Sequence, residues 1–143
     1  MKNPRLARGA LLLLLVSALA IGLTAFAFPR AFYEDFPFLT HWVNLLPPFN
    51  EHLITDVGGL YLGFAVLIGW AAWTLDRILS QAVSVAWMLT AGLHLVFHAG
   101  HLDGFGAADA VAEIAALALL LLPPALVLWA AAPASPPPNP PRP

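Results

Sequence analysis

Cysteine is missing altogether, which excludes disulfides, thiolate metal sites and cysteine catalysis. Charge is scarce as well: 10% of the 143 residues are Asp, Glu, Lys or Arg, against 60% hydrophobic. Soluble domains carry about 25% charged and roughly 45–50% apolar residues, so this is a membrane composition. There is no basic run, and with a net charge of −2 the chain is a poor partner for nucleic acid. Its first partner is the lipid bilayer.

Long apolar runs are what the sequence does have. Four of them, at residues 10–28, 53–75, 78–102 and 107–132, reach the roughly 20 residues needed to cross about 30 Å of hydrocarbon. The expected fold is therefore all-α: a four-helix transmembrane bundle, antiparallel and up-down, forming one domain over residues 1–132. Pro123-Pro124 interrupts the fourth run, where a kink is expected because proline removes a backbone donor. Residues 133–143 hold seven prolines in eleven positions and should form an extended, disordered tail. The first run has a rival reading as a secretory signal, with Lys2, Arg5 and Arg8 ahead of it and Ala25-Phe26-Ala27 behind. Its 19 residues are long for a signal core, so a retained helix is the expectation.

Lys2, Arg5, Arg8, Arg77 and Arg142 fall on one side of such a bundle and only Arg30 on the other. The positive-inside rule then places both termini in the cytoplasm of a multi-pass cell-membrane protein. All five histidines, with Glu34, Asp35, Glu51, Asp56, Asp103, Asp109 and Glu113, collect at the outer end. The long segment 29–52 is rich in aromatics: Phe32, Tyr33, Phe36, Phe38, Trp42 and Phe49. It reads first as an interfacial cap in the headgroup plane, and second as a lid with His41 reaching into a pocket.

Helical phase gathers the polar residues further. At about 100° per residue, His94, His98 and His101 share one stripe of the third helix with Trp87, Thr90 and Ala91. On the second helix His52 and Asp56 share a face with Gly59 and Gly63, a small-xxx-small pair that should turn this face toward a neighbour. Asp109 and Glu113 lie one turn apart on the fourth. Short turns at Asp76-Arg77 and 103–106 make helices two, three and four sequential neighbours, so these groups should converge on one outward pocket.

The leading expectation for that pocket is a divalent transition metal, zinc or copper, because imidazole and carboxylate are the ligands left when thiols are absent. His94 and His98 have the i, i+4 spacing that brings two rings to one ion, with His52 and Asp56 opposite and His101 and Glu113 as further ligands. Three alternatives stand beside it. A metal-free proton relay or ligand pocket would hold a small cation, a quinone or a lipid headgroup. Haem with two axial histidines is the next. The bland alternative is a polar bundle end, with His52 paired to Asp56, His101 at the water boundary and Asp109 favoured by a helix dipole. Nucleophilic catalysis finds no support: Ser17, Ser80 and Ser84 lie away from the histidines, and Thr40 and Thr55 have no activating partner. No complete catalytic constellation is visible. A second copy or another membrane protein would be a natural neighbour for so small a bundle, although no face singles one out.

The stretch NEHLITDVGGLYLGFAVLIGWAAW (50–73), followed by AGLHLVFHAGHLD (91–103), resembles small four-helix membrane proteins of the DoxX-like kind, whose second helix often carries a "GGLYLG"-type motif. The resemblance covers about the central half of the chain. It implies a four-helix architecture and an accessory or redox-associated membrane role. The histidine-rich segment has no counterpart in it, so no functional residue is carried over.

Overall fold

The computed structural model describes residues 1–37, 39–46 and 48–133. The proline-rich tail expected at 133–143 lies almost wholly outside the described residues, as do Phe38 and Arg142. The order is α1 (Pro4–Ala27), α2 (Pro29–Asp35), a 3-10 turn (Val43–Leu45), α3 (Glu51–Thr74), α4 (Arg77–Ala99), α5 (Ala107–Leu119) and α6 (Leu122–Ala130). Counting α5 and α6 as one broken crossing, four helices are long and apolar enough to span a membrane. Their outer surfaces are greasy to match: Leu13, Val16, Val66, Trp70, Trp73 and Leu89 are all exposed. This fits a multi-pass membrane protein, in which lipid rather than water receives the outer face.

Local chemistry starts the helices where they start. Asn3, Asn50 and Asp76 are N-caps whose side chains accept from the amides of Leu6, Leu53 and Leu79, satisfying donors that the first turn leaves free. Leu75 ends α3 in the left-handed conformation, and the Arg8 Nε donates to the carbonyl of Ala72, one of those the helix end exposes. Gly100 ends α4 three residues sooner than the apolar run.

α1 is the central element. Its buried stripe (Ala7, Ala10, Leu11, Leu14, Ala18, Gly22, Ala25) has helical period, and Leu11 and Leu14 are shut off from solvent. It lies mainly along α3 and also against α6, while α4 touches α3, α5 and α6. A Cβ on Gly58 would stand 2.4 Å from the Phe26 nitrogen, so at this crossing the backbones meet with no room for a side chain. Gly22 meets Leu62 on the same seam. The pair expected to do this, Gly59 and Gly63, has nothing within 4 Å and faces away from the bundle. Gly58 is one residue, about 100° of helical turn, from Gly59, which suffices to exchange inside for outside.

The break between α5 and α6 falls beside Pro123-Pro124, as the sequence implies. Pro124 has no N–H for the Leu120 carbonyl four residues back. The Trp87 indole, 97% buried on α4, donates to that carbonyl at 3.2 Å. In a membrane such a substitute partner matters, since no water replaces the lost bond. Trp87 is itself wedged edge-on against Tyr61 and Phe64 of α3. Below the break α6 returns to α1, and the amides of Lys2 and Asn3 donate to the carbonyls of Ala132 and Ala130.

Candidate functional site

A cavity of about 650 Å³ opens where α5 and α1 stand apart. One wall is α1, through Ser17, Ala20, Ile21, Thr24 and Phe28; the other is α5, through Glu113, Ala116, Leu117 and Leu120, with His94 and His98 from α4. The segment after α1 covers it with Ala31, Phe32, Asp35, Phe36, Pro37, Leu39, Trp42 and Val43. The expectation placed the pocket between the second, third and fourth crossings. The first crossing takes the place of the second, because α1, packed along both α3 and α6, fills the position opposite α4 and α5.

The polar end of the cavity is built from few groups. His98 is 94% buried and Glu113 is 97% buried. His98 Nδ1 and Glu113 Oε1 approach to 2.5 Å, yet the contact is not aligned as a hydrogen bond. Nδ1 and Glu113 Oε2 are both buried with no hydrogen-bond partner among the described residues. The His94 ring stands edge-on to that of His98, centroids 4.3 Å apart, one turn nearer the membrane centre and more exposed. Buried polar atoms are normally satisfied, so an unpartnered carboxylate oxygen at a cavity wall is a departure that calls for an explanation, and the cavity beside it has room for a partner.

Of the six residues expected to converge, His94, His98 and Glu113 line this cavity. The other three do not. His52 and Asp56 pair with each other at 3.3 Å on the exposed side of α3, where a helix face that was expected to meet a neighbour meets none. His101 lies beyond the end of α4, its ring stacked on Phe97 at 4.1 Å and its Nδ1 2.7 Å from the Phe97 carbonyl. Among the described residues no group of three or more His, Asp or Glu side chains is arranged to hold a metal ion.

The covering segment was the weaker of two expectations for residues 29–52, and it supplies nearly half of the lining. Its shape comes from aromatic and polar contacts: Phe32 stacks on Phe36 at 4.5 Å, Tyr33 meets the edge of Phe49, and Arg30 pairs with Glu34 at 2.6 Å. The Trp42 indole donates to the Asp109 carboxylate at 3.3 Å, tying the cover to the first turn of α5. His41 does not reach inward; its Nδ1 lies against the Glu34 carbonyl and 3.6 Å from Asp35.

Asp35 and Phe28 line the cavity without any sequence pattern that places them there, Trp42 lines it as part of the covering segment, and Ser17, distant from the histidines in sequence, borders the same space. Its hydroxyl is spent on the Leu13 carbonyl, 3.0 Å away, so it contributes shape rather than a donor. The i, i+4 pair Phe32 and Phe36, directly after the apolar run, was the available signal for a covering helix. No family model, curated protein or solved structure matches the chain.

Proposed function

We propose that this chain is a four-crossing, up-down membrane protein that binds an amphipathic small molecule drawn from the bilayer, without a metal. The apolar body lies along α1 and beneath the aromatic cover. The polar head sits against His94, His98 and Glu113. One observation carries the reading: a buried, unpartnered Glu113 Oε2 at the wall of an otherwise apolar cavity of about 650 Å³. That volume lies within the roughly 300–1,000 Å³ of small-molecule sites, which are likewise mostly apolar with a few convergent polar groups.

In this proposal both termini are cytoplasmic and the cavity sits toward the outer leaflet. The support is the position of Lys2, Arg5, Arg8 and Arg77 at helix ends that the Arg8–Ala72 and Asn3–Ala130 bonds hold near one another. The test is organic extraction and mass spectrometry of protein purified in mild detergent, beside an Ala116→Trp variant that fills the cavity without altering a charge. A molecule enriched in the parent and depleted in the variant is the expected result. Equal extracts from both would end the proposal.

The metal reading survives on one observation, the two rings of His94 and His98 held 4.3 Å apart at one wall. Elemental analysis of tag-free protein separates it. Near-stoichiometric zinc or copper, lost on replacing both histidines by alanine, would favour the metal.

A further inference from the structure

We propose that the head group this pocket selects is an ammonium, so that its ligands are apolar amines rather than carboxylates or phosphates of the same shape. The inference rests on the ligand-pocket reading and specifies its chemistry.

The acidic side chains among the described residues lining the cavity are Glu113 from α5 and Asp35 from α2, the latter 3.6 Å from His41, and the lining includes His94 and His98 but neither lysine nor arginine. Arg30, the cation of the covering segment, is engaged elsewhere, paired with Glu34 and lying over the Phe49 ring. An anionic head would therefore enter low-dielectric space against like charge, which is costly.

Glu113 narrows the choice. His98 Nδ1 lies against Oε1 without an aligned hydrogen bond, and Oε2 is buried with no partner among the described residues. Ionised, Glu113 only accepts hydrogen bonds, and the partner that would hold it in that state is a donor. An ammonium supplies both the donor and the opposite charge, and such charge-assisted bonds are roughly twice as strong as neutral ones. The cover adds the rings of Phe32, Phe36 and Trp42 to the lining, and a cation is drawn to an aromatic ring by its quadrupole. A neutral alcohol would satisfy Oε2 and gain little from the rings or from Asp35.

The experiment is isothermal titration of detergent-purified protein, with chelator present, using three probes of one body: 4-phenylbutylamine, 4-phenylbutanol and 4-phenylbutyrate. The amine should bind at least about tenfold more tightly than the alcohol, and the butyrate should be weakest. Glu113→Gln should erase the amine's advantage while leaving the alcohol bound, and Asp35→Asn, at a partly exposed site, should reduce it. If Glu113→Gln does not fold, Asp35→Asn decides alone. Alcohol equal to amine, butyrate tightest, or an amine advantage untouched in the folded variants would each overturn the ammonium inference while leaving the pocket. If none of the three binds, the pocket reading itself fails and the inference with it.

Discussion

The two flanks of α1 are built from the same kind of residue and do opposite things. Toward α3 the helix closes without a gap, Gly22 against Leu62 and Phe26 against Gly58. Toward α5 it stands away, and Ser17, Ile21, Thr24 and Phe28 face open space. Close approach depends on a residue without a Cβ at the crossing point. The opening depends on a break elsewhere: α6 follows α1, and beyond Leu120 and Leu121 α5 leans on α4 instead. One flank is packed shut and the other leaves a cavity.

The closed flank is where a single change should cost most. Gly58→Leu puts a branched side chain where even a Cβ meets backbone at 2.4 Å, and about 3 kcal/mol or more of destabilisation is expected. Thermal unfolding in detergent, followed by circular dichroism, should show it. Gly59→Leu, one position along, should unfold with the parent, and a comparable loss there would mean that α3 is packed the other way round.

On the open flank the buried pair tests whether the site is held against stability. Glu113→Ala leaves His98 buried opposite an empty space and should cost about 1–3 kcal/mol. Replacing both, His98→Leu with Glu113→Met, should leave the bundle as stable as the parent or more so, since an apolar pair of similar volume needs no partners. The double variant should lose ligand at the same time. A double variant less stable than either single one would show that the pair is a structural bond and not a binding group.

Between the flanks lies the break. Trp87→Phe keeps the packing against Tyr61 and Phe64 but leaves the Leu120 carbonyl without its donor, for an expected loss of about 1–2 kcal/mol. Hydrogen exchange should rise locally at residues 118–125. Smaller again should be the cover's tie to α5: Trp42→Phe removes a partly exposed bond worth about 0.5–1 kcal/mol and should loosen exchange in residues 39–46 with little movement of the unfolding midpoint. His52→Ala, which breaks an exposed pair on α3, should change stability by less than about 0.5 kcal/mol.

That last contrast shows how much of the site could be read in advance. His52 with Asp56 and His98 with Glu113 are both histidine–carboxylate pairs. The first can be read off one helix by its spacing, and it is the exposed one. The second joins two helices, and it is the buried one. His94 and His98 were recognisable together because they sit one turn apart on a single element, and Glu113 because an acid in an apolar run is conspicuous. The cover was legible only as the second of two expectations, and Asp35 and Phe28 were not, because their importance depends on which helix stands opposite α4 and α5.

Four apolar runs and the break at Pro123-Pro124 are legible in the sequence, and the acceptors at Asn3, Asn50 and Asp76, which the runs alone do not single out, cap three helices from beside their own first turns. These are local matters of run length, side-chain acceptors and missing donors. Helix packing selects Gly58 over Gly59 to meet a neighbour, sets α1 rather than α3 as the wall of the cavity, and buries one histidine–acid pair and not the other. In water, hydrophobic periodicity distinguishes inside from outside. In lipid both faces of a helix are apolar, so that signal is lost, and the choice falls to close packing and to the few polar atoms that must find partners.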